Sequence, residues 1–77
     1  MTVYKIRFEG PAAIAVGVAT ALADADGVDL TSSSQPAILD ENTVELHLTV
    51  EGARESVVDA VAGIRDGLPD AASIEIE

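Results

Sequence analysis

Side chains able to move a proton or attack a carbon are few in this sequence, and they are scattered. His47 is the only histidine, Ser32, Ser33 and Ser34 are the one hydroxyl run, and Glu45 and Glu75 lie in two segments of alternating polarity. A histidine base needs a nucleophile or an orienting group within hydrogen-bond reach, and a histidine ligand needs companion ligands. The chain supplies neither near His47, which reads as a solvated surface histidine. Glu45 and Glu75 have the residue type for two-carboxylate catalysis, but in the strand order derived below Lys5 and Arg7 run between them and neutralise them. The serines lack a Gly-x-Ser-x-Gly elbow and a base placed by sequence, so they read as strand or ligand-contact residues. There is no phosphate loop and no Gly-x-Gly-x-x-Gly. With no cysteine, thiolate chemistry, a disulfide framework and a Cys-based zinc site are excluded. An enzyme is the least supported class, and no catalytic residue, cofactor or metal is expected.

One junction has binding chemistry instead. Glu9-Gly10-Pro11-Ala12 closes a strand and opens a helix, where unpaired backbone N–H groups carry positive dipole character and Gly10 allows close approach. A carboxylate can be received there; the competing reading is that Glu9 or water caps the helix.

The elements that position these residues follow from periodicity. Thr2 to Glu9 alternates, with Tyr4, Ile6 and Phe8 on one face and Val3, Lys5, Arg7 and Glu9 on the other. Gly10 then reads as an N-cap, Pro11 as the first helical residue and Gly27 as a left-handed C-terminal stop. The helix between them has an apolar stripe of Ile14, Val18, Ala21, Leu22 and Ala25. Its other side, with Ala12, Val16, Ala19, Thr20 and Ala23, is uncharged as well. A helix apolar all round is covered on more than one side, so Val16, Ala19, Thr20 and Ala23 are expected at an interface.

Val28 to Ile38 reads as a second strand, weakened by three serines and Pro36 and suited to an edge or a bulge. Asp40-Glu41-Asn42 is a turn into Thr43 to Val50, whose Val44, Leu46, Leu48 and Val50 face inward. Gly52 ends that strand. Ala53 to Gly67 carries Val57, Val61, Ile64 and Leu68 at helical spacing, and Ala72, Ile74 and Ile76 alternate as a last strand. The fold class is α+β: a ferredoxin-like βαββαβ sandwich with a four-stranded antiparallel sheet and both helices on one face, one domain over residues 1–77. In the order fourth, first, third, second strand, Lys5 and Arg7 lie beside Glu45 and His47 on one side and Glu75 on the other.

Composition narrows the partners. A domain of 77 residues buries only roughly 60% of its unfolded surface, and dimerisation is one source of added stability. A net charge of -10 with four basic residues disfavours nucleic acid and anionic membrane surfaces. No run is long and apolar enough to cross a bilayer, and the start lacks a signal-peptide pattern, so a soluble, cytoplasmic protein is expected. The pI near 4.1, scarce lysine and abundant Ala and Val resemble the cytoplasmic proteins of salt-accumulating halophiles; an ordinary acidic bacterial domain is the alternative.

The order of elements, the helix ending LADADGVDL followed by TSSSQ, the hairpin into TVELHLTVEG and the close VVDAVAGIRDGLPDAASIEIE together resemble an ACT domain, the small amino-acid-binding regulatory module. The likeness covers essentially the whole chain. It implies a homodimer joined by side-by-side sheets and adjoining first helices, with an amino acid or similar effector at the interface. The ligand residues it implies are Glu9, Gly10, Pro11 and Ala12, joined by Thr31, Ser32 and Ser33 at the second strand. The loop departs from the family's Asp-x-Pro-Gly, having Gly10 before Pro11 and Ala12 after it. The expected function is a stand-alone regulatory or effector-binding module, acting on an effector or a partner protein. The alternative is a non-catalytic structural or accessory subunit of a larger complex.

Overall fold

The computed structural model describes residues 2–77. The described chain is α+β, with two helices and an antiparallel sheet of five strands: β1 (Thr2–Pro11), α1 (Ala12–Asp24), β2 (Val28–Ser33), β3 (Ala37–Ile38), β4 (Thr43–Gly52), α2 (Arg54–Asp66) and β5 (Ser73–Ile76). The strands run in the order β2-β4-β1-β5, and the two-residue β3 pairs with β4 off that path. The sequence leads one to expect four strands; the fifth arises because the segment from Val28 to Ile38 is broken. The pairing of β2 with β4 slips between Leu30 and Ser32, pairing stops after Ser33, and Ala37 and Ile38 resume it opposite Glu45 and Val44. Pro36 has no N–H to give to a ladder, so the interruption falls where the backbone has least to lose.

Alternation in β1 and β4 builds the core. Ile6 pairs with Leu48 and Phe8 with Leu46, while on the other flank Phe8 pairs with Ile74. Side chains at paired positions share a face, so Ile6, Phe8, Leu46, Leu48, Val50 and Ile74 form one apolar layer. Ala15, Val18 and Leu22 of α1 and Val57 and Val61 of α2 join the same buried cluster, so both helices cover that face. No polar or charged residue is buried among the described residues. The opposite face carries Lys5, Arg7, Glu9, Glu45, His47, Thr49 and Glu75.

Several local expectations shift. Pro11, not Gly10, is the N-cap of α1, and the helix starts at Ala12. Gly10 stays in β1, paired with Val44; a Cβ there would lie 2.7 Å from the Ala72 Cβ and 3.0 Å from the Phe8 ring. Gly27 is left-handed, with φ of 75°, but it turns the chain into β2, since α1 ends at Asp24 with an extended Ala25 as its cap. Within α1, Val18 and Leu22 of the expected stripe are buried, but Ala21 is exposed and Ala15, outside that stripe, is buried in its place. Alanine on every side gives such a helix little to fix its rotation.

The charge pairing on the open face also differs in detail. Arg7 lies opposite His47 on β4 and Glu75 on β5, and its guanidinium is 3.6 Å from the Glu75 carboxylate. Lys5, however, faces Thr49, and Glu45 faces Glu9. Glu45 is hydrogen-bonded to His47, at 2.6 Å from its Nε2, rather than paired with Lys5.

Candidate functional site

The junction Glu9-Gly10-Pro11-Ala12 is occupied by the protein itself. The space that Gly10 leaves is filled by Ala72 and the edge of Phe8, so close approach here serves packing. The Ala12 N–H, one of the otherwise unpaired donors at the start of α1, donates to the Asn42 carbonyl at 3.2 Å. Glu9 is half-buried in β1, and no side chain caps the helix. The helix start is thereby tied to the β3–β4 turn.

Thr31, Ser32 and Ser33 lie on the far side of β4 from that junction. Glu9 pairs with Glu45 across one flank of β4, and Ser33 pairs with Leu48 across the other. The two halves of the expected ligand set are therefore separated by a strand and displaced by three residues along it. Thr31 sits at the slip in register and donates its hydroxyl to the Thr49 carbonyl at 3.1 Å.

Part of the expected set does converge with the expected interface. Ala15, Val16, Ala19 and Thr20 of α1 face Ser33, Ser34 and Pro36, with Leu46 at the base, around a groove of about 220 Å³. Its walls are largely apolar. The break between β2 and β3 opens this groove, because no strand backbone there closes the gap to the helix. Val16 is 73% exposed at its rim. Ala19 is half-buried against the core, whereas Thr20 and Ala23 are exposed. The Thr20 hydroxyl donates to the Val16 carbonyl at 2.9 Å and retains lone pairs. Ser34 Oγ accepts from the His47 N–H at 3.0 Å, leaving its own proton free to donate. A concave apolar site with a few polar groups is the ordinary form of a small-molecule site, and this one is below the roughly 300–1,000 Å³ of drug-sized pockets. Its size suits a ligand on the scale of one amino acid. Pro36 was not legible as a site residue from sequence, and Ser34 was read only as a strand or ligand-contact residue; the signal that joins them is the Pro that breaks the edge strand.

On the open face of the sheet a second concavity of about 320 Å³ is lined by Lys5, Ser32, Ser34, His47, Leu48, Thr49 and Glu77. His47 Nε2 lies 2.6 Å from the Glu45 carboxylate and Nδ1 3.6 Å from that of Glu77. Both ring nitrogens thus face carboxylates, and among the described residues no hydroxyl is hydrogen-bonded to the ring. No group of three or more His, Asp or Glu side chains among the described residues is placed to hold a metal ion. Outside both cavities, Asp40 in the β3–β4 turn is held below its ordinary value by the Asn42 backbone N–H and then by Thr43, which bond its charged form. No described helix is long and apolar enough to cross a membrane. No protein-family model matches the chain, and no curated protein is similar to it.

Proposed function

We propose that the protein is a non-catalytic, effector-binding module of ferredoxin-like architecture, resembling the ACT domain, that pairs with a second copy through the exposed side of α1. The effector is a small amino-acid-type molecule. Its apolar part lies in the groove between α1 and the β2–β3 break, and the Ser34 hydroxyl and the lone pairs of Thr20 and Ser33 meet its polar end. The observation that carries this reading is the groove itself: an apolar concavity on a helix with no charge from Ala12 to Ala23, in a chain of net charge -10. A surface kept free of carboxylates where the rest is dense with them is one that meets something other than water. The ligand residues move, in this reading, from Glu9–Ala12 to the α1 side of Ser33.

Thermal unfolding in the presence of each of the twenty amino acids tests it. A ligand at about 100 times its dissociation constant adds about 2.7 kcal/mol, which for a domain of this size raises the melting temperature by about 10–20 °C. A flat response to all of them rejects the effector. It favours the accessory-subunit reading, for which Ile38 and Leu39 are the relevant observation. They project from the β3–β4 hairpin 79% and 49% exposed, more apolar surface than a hairpin tip needs.

A further inference from the structure

We propose that the concavity on the helix-free face of the sheet is a second binding site, for a small zwitterion whose carboxylate meets Lys5 and whose ammonium meets Glu77. The site opens on the other face of the sheet from the effector groove, shares only the wall residue Ser34 with it, and does not rest on the reading of that groove. The argument starts from charge. The chain has 14 acidic and four basic residues, so a cation without a carboxylate beside it is unexpected. Arg7 is taken up by Glu75 at 3.6 Å, Arg65 donates to the Ile74 carbonyl at 2.9 Å, and Arg54 stands at the start of α2 near Glu55 and Asp59, away from this face. Lys5 stands on a central strand of the same face as Arg7. No carboxylate oxygen among the described residues lies within 4.0 Å of its ammonium. It is nevertheless at the wall of a concavity rather than on a convex surface.

The lining around Lys5 selects the ligand class. Ser32, Ser34 and Thr49 bring hydroxyls to the same hollow. Lys5 and the hydroxyls fit one carboxylate. A phosphate or another multiply charged anion is disfavoured, because Glu77 lines the hollow and Glu45 is held against the His47 ring that also lines it, and like charges repel. A ligand with its own positive group turns that repulsion into attraction at Glu77. The Glu77 backbone N–H donates to the Lys5 carbonyl at 2.7 Å, which fixes Glu77 beside Lys5 at the spacing of neighbouring strands, about 5 Å. Both side chains line the one hollow. His47 lies between Glu45 and Glu77, and among the described residues Lys5 is the one Lys or Arg that lines the hollow.

The test uses the intact protein and three probes: glycine, which carries both charges and no side chain to fill the apolar groove; acetate, which lacks the ammonium; and inorganic phosphate. Backbone amide chemical shifts of Lys5, Ser32 and Thr49 are followed in each titration, with Ala15 and Val16 reporting on the groove. Glycine is expected to shift the first set and not the second, and to bind at least tenfold more tightly than acetate or phosphate. Lys5→Gln is expected to weaken glycine at least tenfold and Lys5→Arg to retain it, each with an unchanged melting temperature since Lys5 is exposed. Absence of glycine-dependent shifts at the first set overturns the proposal, as does glycine binding to Lys5→Gln with wild-type affinity. Equal binding of acetate removes the role of Glu77 and overturns the zwitterion, and equal binding of phosphate makes this a general anion site. Shifts confined to Ala15 and Val16 overturn this site while leaving the effector groove standing.

Discussion

Replacing Val16 with glutamate separates a monomer that exposes α1 from a dimer that buries it. Val16 is 73% exposed, so its present burial contributes about 0.5 kcal/mol of the roughly 1.5–3 kcal/mol that full burial of a valine is worth. Glutamate returns about 0.3 kcal/mol through its better helix propensity. In a monomer these nearly cancel, and the melting temperature moves by no more than about 4 °C. In a pair joined through α1, two-fold symmetry puts the substitution into the contact twice. Each copy then forfeits about 1–2 kcal/mol of further valine burial and must desolvate a carboxylate, which costs several kcal/mol. The pair weakens by about 5 kcal/mol or more, roughly three to four orders of magnitude in dissociation constant. Sedimentation equilibrium of both proteins at high salt, which screens the repulsion between two chains of charge -10, measures this directly. A wild-type protein that stays monomeric at every concentration, or a Val16→Glu pair of unchanged affinity, refutes the helix contact. Ala19→Glu is the poorer probe, because Ala19 packs against the core and its loss destabilises the single chain as well.

Three other outcomes follow from the backbone and the turn. Gly52→Ala places a Cβ 2.3 Å from the Gly27 carbonyl oxygen, a backbone atom that moves only with β2. It destabilises by about 1–3 kcal/mol, and an unchanged urea midpoint refutes the close approach. Gly17→Ala and Gly63→Ala meet nothing within 4 Å, so each stabilises its helix by about 0.5–1 kcal/mol; a loss of stability in thermal unfolding at either position refutes open space there. Asp40, lowered from 3.8 by the Asn42 N–H and then by Thr43, has a folded value below its unfolded one, so its contribution is present above pH 3.8 and is lost as pH falls through the folded value. The amide shifts of Asn42 and Thr43 should therefore titrate with a midpoint below 3.8, and a midpoint at or above it refutes the bonding.

The sheet was legible because its central strands alternate without interruption. Ile6 and Phe8 in β1, and Val44, Leu46, Leu48 and Val50 in β4, are buried as two-residue periodicity requires. Val57 and Val61 of α2 are buried too, since Arg54, Glu55, Asp59 and Asp66 mark its wet side. In α1 the same method fails in detail: without a charged residue before Asp24 nothing in the sequence tells Ala15, which is buried, from Ala21, which is exposed. The candidate groove was half legible. Val16, Ala19, Thr20 and Ser33 were expected at functional surfaces, but as parts of two different ones. Their convergence depends on where the edge strand breaks, which three serines and a proline mark only to within a few residues. The pairing of His47 with Glu77 joins residues 30 positions apart in the chain, and no local pattern encodes it.

That same break gives the two candidate sites a common wall. In an unbroken strand successive side chains point to opposite faces, and no residue serves both. Ser34 has left the strand yet stays bonded to β4: its N–H donates to the His47 carbonyl at 2.8 Å and its Oγ accepts from the His47 N–H at 3.0 Å. Held at the edge in this way, it lines both the α1 groove and the hollow beside Lys5. A ligand on either side that orders or displaces residues 34–36 alters the wall presented to the other, and such coupling is reciprocal in free energy. Glycine at the Lys5 site should therefore change the affinity of an effector in the groove by the same factor as the effector changes that of glycine. Ser34→Ala, which removes the hydroxyl from both walls and the side-chain half of the clamp on His47, should reduce that factor toward one.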